Sequence, residues 1–301
     1  MADRLNEKIS IVIIAHNEER YIKKCLESIL AQTYKNLEIL AVDSASSDNT
    51  ADIIKEFARI DKRIGQVRLE CQGYATARNA GLGRASGESV FFIDADCIAT
   101  QDWVENGLKE LEDNNAAGVS GLTHYVSKDY RPSVRDRLVY NKKGDVYPTC
   151  NIAYKKEALE RVGSFNSRYD VGLEDWDMAF RVLRHGKIIF SKKMLVFHQG
   201  KSKELNFTLK NFDRIKGVVF LIKDHYGNPR IPRSYALARI CTPGELIIAI
   251  FPPALFFYYI LARKRINLLR DLNFIFFDYF TIAVRRVIIW NTAIKEKIFL
   301  I

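Results

Sequence analysis

Glycine-rich phosphate loops are missing from this chain. No G-x-x-x-x-G-K-S/T occurs among its 301 residues, which excludes a P-loop site. Gly81, Gly83 and Gly87 do not make G-x-G-x-x-G, and they follow a predicted helix rather than a strand. A dinucleotide-binding dehydrogenase is therefore disfavoured. Cysteine is sparse: Cys25, Cys71, Cys97, Cys150 and Cys241 are scattered, with no C-x-x-C and no Cys/His zinc spacing. The N-terminal stretch Met-Ala-Asp-Arg-Leu-Asn-Glu-Lys is polar and does not read as a signal peptide, so a reduced, cytosol-facing protein is expected. Net charge is also lacking over the first 200 residues. Residues 201–301 hold 17 basic and 7 acidic groups, which accounts for the whole +10 excess. That argues against a nucleic-acid face on the main domain. It favours contact between the last third and an anionic surface such as lipid headgroups, with nucleic acid the competing reading of the same charge.

What is present is an alternation. Ile9 to Ala15 reads as a buried strand, followed by a helix with Ile22, Leu26, Ile29 and Leu30 at helical spacing. Leu37 to Val42 is a second strand ending on Asp43. The polar cluster after it offers Ser47 or Asp48 as N-cap for a helix from about Thr50 to Ile60. Gln66 to Leu69 is a short strand and Gly73 to Ala85 a small-residue helix. Strands alternating with helices predict an α/β domain with a mainly parallel sheet. Later segments add a helix over 101–113, strands at Ala117–Tyr125, Tyr147–Tyr154, Lys187–Phe190 and Leu195–His198, and a short helix from Lys155 to Val162. The charged stretch 127–145 lacks a period and reads as a mobile connection.

Two acidic constellations carry the chemistry. Val90 to Ile93 run straight into Asp94 and Asp96, an apolar strand ending in D-x-D. Carboxylates at i and i+2 of an extended chain face one way and can hold a hard divalent cation, although a polar loop is the bland alternative. The second is Glu174-Asp175-Trp176-Asp177, opening a helix that Gly186 ends. Carboxylates there are favoured by the helix dipole alone, so capping competes with chemistry.

Taken together, I-V-I-I-A-H-N-E-E-R-Y-I from Ile11, D-S-A-S-S-D-N-T from Asp43, R-N-A-G from Arg78, F-I-D-A-D ending at Asp96 and G-L-E-D-W-D from Gly172 resemble the family-2 inverting glycosyltransferases. The resemblance covers about residues 8–200. It implies a GT-A fold, a mainly parallel Rossmann-like sheet flanked by helices, with a C-terminal hydrophobic helical appendage. It also implies a sugar-transferring enzyme that uses a nucleotide-diphosphate sugar, UDP favoured, and a divalent metal, Mg2+ or Mn2+. On that likeness Ala15, His16, Asn17, Glu18, Asp43, Arg78 and Asp94 would line the nucleotide and its sugar, the competing reading of Arg78 being a cap or salt bridge on a helix surface. Asp96 would ligate the metal, with His198 a further candidate against a structural role. Asp175, with Glu174, would supply the general base. Trp176 offers a flat face to an acceptor, the competing reading being a core tryptophan. H-Q-G-K-S from His198 stands where processive synthases carry Q-x-x-R-W, which favours one sugar per encounter.

The expected organisation is a catalytic domain over 1–205, a basic connection over 206–243, and cationic-flanked hydrophobic helices over 244–301. Leu246 to Ala262 is a run of 17 residues without charge. As a helix it would reach about 25 Å, short of the roughly 30 Å hydrocarbon core. Pro252-Pro253 interrupts it. A second run, Leu272 to Val284, ends at Arg285-Arg286. A helix pair lying on or in the cytosolic membrane face competes with a buried helical subdomain. The expected partners are the donor, a glycan or lipid-linked acceptor and the lipid surface, with no nucleic acid. A non-catalytic, membrane-bound sugar-nucleotide sensor is the alternative function. A sugar nucleotidyltransferase is disfavoured because A-H-N-E-E-R stands where its basic glycine loop would be.

Overall fold

The computed structural model describes residues 7–125, 136–137, 139, 141–144, 146–170, 172–199, 201–202, 212–225, 228, 280, 284 and 287–296. Most of the connection over 206–243 and the apolar runs 246–262 and 272–284 lie outside the described residues. By their contacts, residues 1–126 and 139–199 form one unit, and residues 127–138 and 200–301 a second.

The first unit is built on an eight-stranded mixed sheet. Its leading half is parallel: β1 (Ile9–Ala15) lies between β2 (Leu37–Ser44) and β4 (Ser89–Asp94), and β3 (Ile64–Leu69) pairs outside β2. All seven residues of β1 are buried, as expected of a strand covered on both faces. Register fixes the outcome for function. Ala15 pairs with Asp43 and Ile14 with Asp94, so residues at or one short of the ends of three adjacent strands meet on one rim. The other half adds β5 (Cys97–Ala99), β6 (Gly118–Tyr125), β8 (Ile152–Lys155) and β9 (Ile188–His198), giving the order β3-β2-β1-β4-β8-β6-β9-β5. Here β8 runs antiparallel to β4 and β6, while β9 is parallel to β6 and antiparallel to β5.

The crossover helices follow their patterns. Helix α1 (Ile22–Leu30) buries Ile22, Cys25, Leu26 and Ile29, a stripe of helical period. Helix α2 (Thr50–Ile60) starts where Asp48 accepts bonds from the Thr50 amide at 3.0 Å and its hydroxyl at 2.6 Å. Helix α3 (Tyr74–Leu82) uses small residues to approach the sheet, and a Cβ on Gly81 would meet the Val12 side chain at 2.5 Å. Helix α4 (Trp103–Asp113) seats Trp103 edge-on against Phe91, centroids 5.1 Å apart, with its indole N–H on Asn151 at 2.8 Å. Helices α5 (Lys156–Val162) and α6 (Glu174–Leu183) complete this unit.

Three expectations need correction. Tyr147–Tyr154 is not one strand: Thr149 and Cys150 form a turn closed by the Asn151 amide on the Pro148 carbonyl at 3.0 Å, and only Ile152 onward pairs. The two expected closing strands are one strand, β9, with a register shift opposite Gly121/Leu122. Finally, the end of the 127–145 stretch is anchored. Asn141 is fully buried, pairs its backbone with Thr123, and bonds Ser120, Gly121 and the Gly144 amide through its side chain.

In the second unit, β7 (Asp136–Arg137) pairs antiparallel with β10 (Lys201–Ser202). Helix α7 (Phe212–Asp224) packs Val219 against Ile289 and Ala293 of the helical segment 287–295, and Lys223 pairs with Glu296 at 2.7 Å. Among the described residues no helix is long and apolar enough to cross a membrane.

Candidate active site

The rim begins with two cross-braced loops. After β1, Asn17 adopts a left-handed φ of +55°. Its amide donates to Ser46 Oγ at 2.9 Å, and its Oδ1 accepts from the Ser47 amide at 2.8 Å. The Glu18 amide donates to Thr50 Oγ1 at 2.7 Å and the Glu19 amide to Asp48 Oδ2 at 3.1 Å. The Nδ1 of His16 lies 2.7 Å from the Ser44 carbonyl, which can accept only if that nitrogen carries the proton. Burial would push the Asp48 carboxyl up, but the bonds from Thr50 and Glu19 hold it below the usual carboxylate range. Ala15, His16, Asn17 and Glu18 are thus set in one frame with the loop after β2.

Asp43 is fully buried. Its Oδ1 accepts from the Ser46 amide at 3.2 Å, and Arg68 stands 3.7 Å from its Oδ2. Among the described residues that Oδ2 accepts no hydrogen bond. A buried, acceptor-only oxygen in this position can take an N–H from the edge of a base.

The next strand end holds a carboxylate–guanidinium network. Arg78, 2% exposed, donates to Asp94 Oδ1 at 2.9 Å and to Glu174 Oε1 at 2.6 Å. Burial disfavours the guanidinium charge, but Glu174, then Asp94 and Asp175, raise its pKa and hold it cationic. Arg78 therefore braces two acids, one of which, Asp94, is itself among the residues expected to line the nucleotide and its sugar. Glu174 is committed to that brace and 4% exposed. Asp175 is partly exposed, its Oδ1 accepting from the Trp176 amide at 2.9 Å, so of the two acids it is the one open to a reactant. Asp177 is held by Arg181, four residues on in the same helix, at 2.7 Å. Trp176 is 9% exposed and packs edge-on to Tyr147 (5.9 Å) and Phe180 (5.5 Å). Its side chain is thus nearly fully buried.

Pairing of β5 with β9 brings His198 opposite Cys97, with His198 Nε2 3.5 Å from Asp96 Oδ2. Ligand atoms of Asp96, Cys97 and His198 all lie within 4.8 Å of one another. A carboxylate oxygen and an imidazole nitrogen at this spacing fit a divalent cation that completes its shell with oxygen ligands from water or phosphate. The Cys97 thiol is raised well above its ordinary range, first by burial, then by the Cys150 thiol and the charges of Asp96 and Asp94. The Cys25 thiol, bonded to the Asp94 carbonyl at 3.6 Å, is raised by burial and by the same two acids.

Residues that sequence reasoning passed over also belong here. Asp170 and Asn79 tie the loop before α6 to α3, through bonds from Thr76 and with Phe165. Tyr154 is fully buried, and its hydroxyl is raised by burial and then by the charge of Asp175. Asp170 and Asn79 stand in the sequence within Y-D-V-G and R-N-A-G, but Asp170 meets Thr76 across 94 positions and Asn79 meets Phe165 across 86, and no local pattern reveals either contact.

Residues 10–167, more than half of the chain, match the sequence pattern described as Glycosyl transferase family 2. This chain belongs to glycosyl transferase family 2. A second observation agrees with that membership. The chain is 32% identical over 183 residues to the Escherichia coli protein named UDP-Glc:alpha-D-GlcNAc-diphosphoundecaprenol beta-1,3-glucosyltransferase WfaP, covering 60% of this chain and 72% of that one. It is 41% identical over 112 residues to the glycosyltransferase GlyA of Streptococcus pneumoniae serotype 4, covering 37% of this chain but 16% of that protein. The chain thus spans much less than two thirds of GlyA, and 27% to 65% of several other curated relatives. Among solved structures it resembles the mannosyltransferase PcManGT of Pyrobaculum calidifontis, determined with GDP-Man and Mn2+. The TM-score is 0.62 at 21% identity, covering 96% of this chain and 87% of that one. The family-2 chain shares with it a GT-A fold.

Proposed function

We propose that this chain moves one sugar from a nucleotide-diphosphate sugar to an acceptor hydroxyl, with inversion at the anomeric carbon. The observation that carries the reading is the register of β2, β1 and β4. It sets Asp43, Asp94 and, just beyond, Asp96 with His198 along a single rim, while the Arg78 brace links Asp94 to the acidic turn that bears Asp175. In this reading the Oδ2 of Asp43 accepts the N–H of the base, and Asn17 and Glu18 shape the wall beside it. Asp96 and His198 would hold a divalent cation, which when bound neutralises charge developing on the departing nucleoside diphosphate. PcManGT carries Mn2+ and GDP-Man and the E. coli relative is named for UDP-Glc, so both nucleotide classes belong in the screen. Asp94 orients the donor sugar. Asp175 accepts the proton of the attacking hydroxyl, a weak nucleophile until a carboxylate within hydrogen-bond reach takes that proton.

The testing experiment compares wild type with Asp175→Asn, following sugar transfer and nucleotide binding with Mn2+ present. Loss of turnover by 100-fold or more with unchanged nucleotide affinity is the expected result. Equal turnover in both removes Asp175 as the base. Nucleotide binding with no turnover in either protein, across UDP- and GDP-sugars and lipid-linked acceptors, favours the non-catalytic sensor.

A membrane-facing role forms part of the proposal. Val287, Trp290 and Ile294 are 67%, 51% and 76% exposed on one face of a helix whose other face packs on α7, in the third of the chain that carries all the excess positive charge. An exposed apolar stripe in a stretch of sequence with this charge suits the interface of an anionic lipid surface.

A further inference from the structure

Asp175 follows a turn that an ordinary chain would avoid. Leu173 is left-handed, with φ +78°, although it is neither glycine nor asparagine, and Gly172 before it has φ +131°. A left-handed conformation in a branched, buried residue is strained and persists only where its surroundings over-determine it. Leu173 is 4% exposed, and its carbonyl accepts the Asp177 amide at 3.1 Å, so the strained residue is also the start of α6.

Helix α3 grips this turn on both sides. Just before it, Asp170 Oδ1 accepts the Thr76 amide at 2.7 Å, Asp170 Oδ2 accepts the Thr76 hydroxyl at 2.6 Å, and the Asp170 carbonyl accepts the Tyr74 amide at 2.9 Å. Asp170 therefore serves as the N-terminal cap of α3 from nearly a hundred residues away, satisfying amides that the helix cannot satisfy itself. The approach requires a glycine: a Cβ on Gly73 would stand 2.6 Å from the Asp170 carboxylate. Just after the turn, Glu174 is held by Arg78, two residues beyond Thr76 on the same helix. Farther back, Asn79 exchanges two 2.8 Å bonds with the backbone of Phe165.

We infer that Asp170 is a positioning residue for Asp175: by capping α3 it holds the 172–173 turn left-handed and thereby fixes where the base carboxylate stands relative to Asp94. The inference rests on the transferase reading above. Asp170 acts through the backbone and contacts no reactant. The nucleotide is gripped from other elements, the loops after β1 and β2, so loosening the turn separates base placement from donor binding. A misplacement of about 1 Å is enough to cost on the order of 100-fold in rate.

The test uses the full chain and four variants. Asp170→Ala removes both side-chain bonds. Asp170→Asn keeps an acceptor for the Thr76 amide and serves as the conservative rescue. Gln32→Ala is a stability control: Gln32 bonds Ser28, Thr100 and the Val104 amide, apart from the candidate site. Asp175→Asn reports on the underlying reading. Two readouts are taken: amide hydrogen exchange over residues 172–178, and kcat, KM and UDP or GDP affinity with Mn2+, using UDP-glucose, UDP-N-acetylglucosamine and GDP-mannose. Asp170→Ala should speed exchange over 172–178 at least tenfold and lower kcat by about 10–100-fold. Nucleotide affinity should stay within about threefold, and Asp170→Asn should recover most of both losses. Gln32→Ala should lower Tm without changing exchange over 172–178. Exchange and kcat in Asp170→Ala no different from those in Gln32→Ala overturn the inference. If Asp170→Ala does not fold, Thr76→Val removes the hydroxyl bond alone, and unchanged exchange over 172–178 there overturns it equally. Full activity in Asp170→Ala beside an inactive Asp175→Asn defeats only the inference. Full activity in Asp175→Asn defeats the reading beneath it, while the exchange data still decide whether Asp170 holds the turn.

Discussion

Arg78 and Glu174 meet at 2.6 Å inside the protein, 96 positions apart in the chain, with both side chains almost fully withdrawn from solvent. A buried pair of this kind is a weak source of net stability, but breaking it is expensive, because the survivor is left as an unpaired charge. Arg78→Met should therefore destabilise the protein by about 3–5 kcal/mol in urea unfolding. Arg78→Lys offers one point charge where two carboxylates wait on a planar fork, and should recover only part of the loss. The double variant Arg78→Met/Glu174→Leu should lose less than the sum of the two single losses by about 1–3 kcal/mol. Strict additivity would mean that the two side chains do not share the interaction.

The proposed cation site at Asp96 and His198 makes a separate prediction. Hard divalent ions favour the carboxylate oxygen of Asp96 and accept the imidazole of His198, whereas a thiol is a ligand for softer metals. Asp96→Asn and His198→Ala should weaken Mn2+ binding in the presence of UDP or GDP by about 10-fold or more, near the range found when metal-site groups are removed. Cys97→Ser should leave it within about threefold. Electron paramagnetic resonance of free Mn2+ during titration measures all three. A Cys97→Ser loss equal to that of His198→Ala would place sulfur in the coordination shell.

Glu38 carries the clearest pH dependence. Its carboxylate takes bonds from Lys8, Ser10 and the amide and hydroxyl of Ser86. Burial would push its carboxyl up, but those bonds lower it from 4.5 to about 2. A carboxyl depressed on folding adds stability that is complete above its ordinary value and is lost as pH falls toward the folded value. Glu38→Gln should thus cost about 1–3 kcal/mol at pH 7, the lower end reflecting the partly exposed Lys8. The gap between wild type and variant should narrow from pH 5 downward and nearly vanish by pH 2. Urea midpoints at pH 7, 5 and 3 give the curve, and a gap independent of pH would mean that Glu38 contributes by packing alone.

What could be read from sequence follows from how local each cause is. Ile9–Ala15 was legible to the residue because a strand covered on both faces is apolar throughout, and Asp43 and Asp94 were legible as strand ends because polar residues interrupt such runs abruptly. The break between Tyr147 and Ile152 was missed because a turn-forming Pro148-Thr149-Cys150 sits inside an otherwise strand-like composition. The continuity of β9 was missed because Ser191, Lys192 and Lys193 look like a loop until the register shift against β6 accommodates them. At the site, residue types were legible and their assignments less so. Arg78, Glu174 and Trp176 were legible as candidates by residue type, while the partners that brace or bury them stand 16 to 96 positions away and show only in the fold. The role of Asp170 was hidden for the same reason, since Thr76 lies 94 positions away.

The exposed stripe of the second unit supplies a final test. Val287, Trp290 and Ile294 follow helical spacing and remain in solvent, while Ile289 and Ala293 of the same segment are buried against Val219. Removing exposed side chains costs little folding stability, so a triple serine variant should keep the Tm of wild type within a few degrees. Each such side chain contributes about 1.5–3 kcal/mol when fully buried, and partial insertion of three should still raise partitioning on the order of 100-fold. Wild type should therefore co-sediment with vesicles containing about a third anionic lipid, less strongly as salt screens the excess basic charge of residues 201–301. Phosphatidylcholine vesicles should bind it weakly, and the serine variant should lose most of its binding to both. Equal binding by wild type and variant would move any lipid contact elsewhere in residues 201–301. Concentration-dependent self-association abolished by the same substitutions would identify the stripe as a contact between copies of the chain.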